Sequence, residues 1–132
     1  MSVEVKILTL EPPTQDTSSA SSINFNSIPT STGAEVYDLY VVGANKTAIV
    51  KSLRFVNTHT ADVELTVYLM RPDGSSDHQR VLLTPEDMTL TPGFVYVDEA
   101  EITLEADDRI QAKASVDKKI QYLISGVERE VV

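Results

Sequence analysis

Two histidines and one acidic run are the residues whose types invite chemistry in this chain. His59 sits in "NTHTAD" and His78 follows Ser75-Ser76-Asp77, so each falls in a turn between strand-like segments. Metal-binding histidines usually come at close spacing with other ligands, and these two do not, so both read as solvated loop residues. The acidic run comprises Asp98, Glu99, Glu101, Glu105, Asp107 and Asp108. Hard cations such as Ca²⁺ take about six to eight oxygen ligands, which makes clustered carboxylates worth testing. The spacing does not follow the Asp-x-Asp-x-Asp-Gly loop, and carboxylates on opposite faces of a strand diverge. An acidic rim or turn face is the simpler reading.

Other catalytic patterns fare no better. No serine lies in a Gly-x-Ser-x-Gly elbow, and nothing ties a serine to either histidine. The five glycines form no phosphate-cradling loop. A glycosidase pair needs carboxyls roughly 5–10 Å apart in a cleft, commonly with aromatic platforms. The chain has no tryptophan and only eight Phe and Tyr together. These observations point away from an enzyme and name no cofactor, metal or catalytic residue. A chain of this kind acts through surfaces.

The elements that carry these residues are strands. At 132 residues with 42% apolar content, one domain spanning 1–132 can bury a core without disulfides, and there are no cysteines. Val3, Val5 and Ile7 alternate with Glu4 and Lys6 as a half-buried strand that Pro12-Pro13 ends. Residues 11–32 read as an extended loop or arm. Ten of the nineteen residues from Thr14 to Thr32 are Ser or Thr, with Ile23, Phe25 and Ile28 as spaced apolar anchors. From Glu35 the chain becomes strand-like almost throughout. "ADVELTVYLM" sets Val63, Leu65, Val67 and Leu69 on one face. Asp73-Gly74 marks a hairpin, and Gly43–Lys46, Pro92-Gly93 and Asp117-Lys118 mark further turns. In "KTAIVKSLRFVNT" the expected core residues are Ile49, Leu53 and Phe55, with Lys51 interrupting that face as a strand end or a snorkelling stem. "TPEDMTL" admits a brief helical turn capped by Thr84, with Pro85 first in the turn. The sum is eight or nine strands in an all-β, antiparallel, jelly-roll-like sandwich.

Twenty acids against eleven bases give a net charge of −9, and the bases are scattered. Nucleic-acid binding needs clustered Lys and Arg, so it is not expected. No apolar run approaches the ~20 residues that span a bilayer. Glu4 interrupts any signal-like core, so synthesis in the cytoplasm without membrane contact is expected.

Three stretches, Gly43–Leu69, "LEADDRIQAKAS" (Leu104–Ser115) and "IQYLISGVE" (Ile120–Glu128), resemble small virion proteins of tailed bacteriophages. In that group a strand similar to "KTAIVKSLRFVN" precedes a small-polar turn and an alternating strand. An Asp-Asp-Arg-Ile turn follows, with a last strand closing on Ser-Gly-Val/Ile-Glu. The resemblance covers about 85 residues from Gly43 onward and leaves out the N-terminal part. It implies a viral structural protein, most similar to capsid cement or decoration subunits on the outer surface of the virion. Its implied partners are the major capsid protein and other copies of itself, as a dimer or trimer. Val3, Val5, Ile7, Ile23, Phe25 and Ile28 are then the expected partner-binding residues. The alternative is a tail-fibre or baseplate module that binds a receptor or glycan. Tyr37, Tyr40, Tyr68, Tyr96 and Tyr122 fall inside strand patterns, as core or interface residues would, and favour the cement reading.

Overall fold

A computed structural model describes residues 3–8, 14–15, 27–28, 36–72 and 79–131. They form two antiparallel sheets packed as a β-sandwich, with no helix among them. The first sheet is centred on β5 (Lys46–Asn57) and β12 (Ile120–Glu130), paired along nearly their whole length. β1 (Val3–Ile7) and β3 (Ser27–Ile28) both pair with the far side of β12. β9 (Val95–Asp98) and β10 (Ile102–Leu104) pair with β5 on the opposite edge. The second sheet runs β2 (Thr14–Gln15), β4 (Tyr37–Val41), β11 (Arg109–Ala114), β6 (Val63–Arg71) and β7 (Gln79–Leu82). β8 (Met88–Leu90) also pairs with β6.

Nine of the twelve segments are those the alternating patterns predict. The other three, β2, β3 and β8, are two or three residues long, too short to show a period in sequence. Within residues 36–131 the chain crosses between sheets at β4–β5, β5–β6, β8–β9, β10–β11 and β11–β12. Leu53 and Phe55 of β5, Ile120, Tyr122 and Ile124 of β12, Val63, Leu65 and Val67 of β6, and Ile110 of β11 form one core between the layers. The tight turns follow their residues. Pro92-Gly93 closes on a hydrogen bond from the Phe94 N–H to the Thr91 carbonyl, with Gly93 at φ 77°. The Asp73-Gly74 hairpin lies outside the described residues, although β6 and β7 do pair from Arg71 opposite Gln79 onward.

Two expectations are corrected. First, Ile49 does not face the core: it is exposed, while Ala48 and Val50 are buried. The pairing of β5 with β12 slips by one residue, from Ser52–Ser125 to Val50–Gly126, so Lys51 is the extra residue of a β-bulge. The bulge reverses the alternation, which keeps Leu53 and Phe55 inside and turns Ile49 outward. Lys51 instead reaches the Glu101 carboxylate on the surface. Second, Thr84 caps no helix. Its buried hydroxyl accepts from the Val67 N–H at 3.1 Å and donates to the Pro85 carbonyl at 3.1 Å. It completes the side of β6 that β7 and β8 leave open between them, and the chain turns there with Asp87 at φ 51°. Of the expected anchors within residues 11–32, Ile28 is described, and it is fully buried in the core. Ile28 lies opposite Ile120, and its carbonyl accepts from the Lys118 N–H.

Candidate interaction surfaces

Several of the groups that first suggested chemistry hold the fold together. Asp108 is fully buried and takes a bidentate contact from Arg71, Nε at 2.8 Å and Nη2 at 2.7 Å. Its Oδ2 also accepts from the Glu105 N–H at 2.8 Å, closing the turn in which Asp107 has φ 70°. Asp98 accepts from the Ala100 N–H, and Glu101 pairs with Lys51. Strand and turn geometry thus separates the acidic run, and no group of three or more potential metal ligands converges among the described residues. His59 lies in a loop shaped by the buried Asn57, whose Oδ1 accepts from the His59 N–H. The Asn57 amide donates to the carbonyls of Ala61 and Leu90. His78 lies outside the described residues.

Burial would raise the Asp108 pKa, but the hydrogen bonds and charge of Arg71, with the Glu105 N–H, hold it below the usual carboxylate range. An unfolded Asp titrates near about 3.9. Between that value and the lower folded one, the unfolded chain binds more protons, so stability rises with pH across this window. The contribution is complete above about pH 4 and is lost as pH falls through the folded pKa. Urea denaturation of Asp108→Asn across the acid range should therefore show a shallower fall in stability than the parent chain. Identical slopes would contradict this role.

Two further polar constellations escaped the sequence reading. Tyr40 of β4 crosses between the sheets and donates to Glu128 of β12 at 2.6 Å, with the Lys46 ammonium 3.6 Å from the same carboxylate. Burial pushes the Tyr40 phenol above its ordinary value, helped by the hydrogen bond and charge of Glu128. The signal was present in the sequence. Ile120, Tyr122 and Ile124 define the inward face of β12, and Glu128 continues it beyond Gly126. The second constellation lies on the outer face of the second sheet. Gln111 is fully buried there and donates to Asp38 at 2.8 Å, while its own oxygen accepts from Arg80 at 2.9 Å. Arg109 donates to Asp38 at 3.2 Å, and the Arg80 guanidinium lies 5.8 Å from the centre of the Tyr68 ring. These are structural networks, although the buried Arg109 Nε makes no hydrogen bond among the described residues. Tyr37, Tyr40 and Tyr122 are buried, and Tyr96 packs beside Phe55 against the core.

The surfaces left for a partner are sheet edges and the outer face of the first sheet. β1 pairs with β12 in the register Val3–Arg129, Val5–Val127 and Ile7–Ser125, and no other strand among the described residues pairs with it. Ile28 is internal, as described, and Ile23 and Phe25 lie outside the described residues. On the outer face of the first sheet, Val97, Arg54 and Leu123 form one cross-strand row, and Val95, Val56 and Gln121 form the next. Val95, Val97, Leu123 and, beyond the bulge, Ile49 are exposed. The sequence reading missed this face because its apolar residues are split among β5, β9 and β12, and because the bulge reverses Ile49.

No family model matches this chain, and no curated protein matches it. Among solved structures it is similar to a chain of the T13 IBDV viral particle, with a TM-score of 0.43 and 13% identity. It is also similar to a chain of infectious bursal disease virus strain Gt, with a TM-score of 0.32 and 15% identity. Both alignments cover 96% of this chain, which spans 30% and 32% of the length of those chains. At these scores the likeness carries nothing about role.

Proposed function

We propose that the chain is a non-enzymatic virion structural protein, a cement or decoration subunit that binds the outer face of a major capsid protein shell and stabilises it. The observation that supports this most is the distribution of apolar and polar groups. Asp108, Gln111 and Asp38 are buried and tied into structural networks, while Val95, Val97, Leu123 and Ile49 stand exposed on a strand face. Such exposure is a feature of surfaces that receive another protein. The resemblance of the Gly43–Glu128 stretches to phage virion proteins supplies the virion context. The acidity of the chain suits an outer surface, since a net charge of −9 on the inner wall would be repelled by packaged nucleic acid. The side of β1 with which no described strand pairs suits addition to a neighbour's sheet edge, with main-chain hydrogen bonds supplying the contact.

Purified protein mixed with undecorated shells should co-sediment with them and raise the temperature at which they lose integrity. No co-sedimentation, or binding without any thermal effect, would contradict the cement role. Saturable binding to a surface glycan in its place would support the receptor-binding alternative.

A further inference from the structure

We infer that the outer face of the first sheet is a self-association surface, on which a second copy of this chain packs about a two-fold axis. Arg54 is the centre of the face. Val97 and Leu123 are its cross-strand neighbours on either side, and Val56 and Val95 form the adjoining row. Lys51, Arg71 and Arg109 are each ion-paired, whereas Arg54 is exposed and has no hydrogen bond or ion pair among the described residues. An arginine set among exposed aliphatic side chains is the composition found at the centres of protein interfaces.

The charge that completes Arg54 is present on the same chain. The link between β9 and β10 runs along the edge of this face, since Asp98 lies opposite Leu53 and Ile102 opposite Val50. Glu99 in that link is exposed and, like Arg54, has no partner among the described residues. Arg54 is three residues from the level of the link and one strand inward from it. A two-fold axis running between β5 and the β9–β10 edge therefore places Arg54 of each copy over Val97 and Glu99 of the other. The contact is isologous and closes as a dimer. It also places the association of a strongly acidic chain at the patch where its own positive and negative charges match.

The inference rests on the reading of this protein as one that acts through its surfaces, but dimerisation is measured on the purified chain alone, so that its failure is distinct from failure of the cement role. Sedimentation equilibrium over a range of concentrations should show a monomer–dimer equilibrium. Arg54→Glu and Glu99→Arg should each weaken dimerisation by about tenfold or more, and the double variant carrying both changes should recover it. Val97→Lys should weaken it as well. All three positions are exposed, and unchanged thermal melts would confirm that the fold is intact. A parent chain that stays monomeric at every concentration would overturn the inference, as would a double variant no better than the single ones. Loss of shell binding by Arg54→Glu in a monomeric protein would likewise overturn it, assigning the face to the shell while leaving the cement role standing.

Discussion

Gly126→Ala is expected to destabilise the fold by about 3 kcal/mol or more, lowering the melting temperature by roughly 10 °C. A Cβ built at Gly126 would lie 2.1 Å from the Ile49 carbonyl oxygen and 3.1 Å from the Ile49 carbonyl carbon. The obstacle is backbone, so no side-chain rotation relieves it. The close approach follows from the bulge at Lys51, which brings Val50 rather than Lys51 opposite Gly126. β5 and β12 are the central pair of the first sheet, so moving them apart disturbs Leu53, Phe55 and Ile124 in the core. Gly93→Ala is the informative control. It meets nothing within 4 Å, and its strain comes only from φ 77° in the Pro92-Gly93 turn, so a loss of about 1 kcal/mol is expected. Equal losses at the two glycines, read from urea denaturation, would show that close packing at the bulge is not what Gly126 provides.

Leu65→Asp is expected to abolish cooperative folding. Leu65 is fully buried in β6, opposite Ala114 of β11 and Met88 of β8. A carboxylate there would lose its hydration without gaining an ion pair, a cost of several kcal/mol against a total stability of about 5–15 kcal/mol. Leu65→Ala, which leaves a cavity and no charge, should remain folded with a loss of about 2–5 kcal/mol. The neighbouring Glu64 is exposed, so Glu64→Ala should change stability little, within about 0.5 kcal/mol. A sharp, near-normal melt for Leu65→Asp would mean that the face assignment of β6 is wrong.

β6 was the most legible strand because its period-2 pattern is unbroken and both its faces have a settled fate. β5 was legible as a strand but only half legible in its facing. Lys51 at an apolar position was a visible anomaly, and its cause was pairing geometry, which depends on Gly126 some seventy-five residues away. The same separation hid the Tyr40–Glu128 and Asp38–Gln111 contacts, whose partners are 88 and 73 residues apart. Thr84 looked like a helix cap because capping and strand-edge satisfaction use the same short hydroxyl. Ile28 read as an arm anchor because its sequence neighbours are polar. Its burial arises from β12, a strand near the other end of the chain.

The residues that carry the phage resemblance now have physical roles. Asp108 of "DDRI" closes a turn and pairs with Arg71. Gly126 of "SGVE" accommodates the bulge, and Glu128 receives Tyr40 across the sandwich. These roles maintain the scaffold, so the motifs specify a fold more closely than a position on a particle. The exposed face around Arg54 takes Ile49, Arg54 and Leu123 from those stretches and Val95 and Val97 from outside them, and it is where the proposed self-association is placed.

The cement role is tested most directly by the number of copies on an intact particle, from quantitative mass spectrometry of purified virions against the major capsid protein. A decoration subunit should be present at on the order of hundreds of copies, in a fixed ratio to the shell protein set by capsid symmetry. It should also be released before the shell itself comes apart. A dozen copies or fewer would contradict the account and move the protein from the shell to the tail.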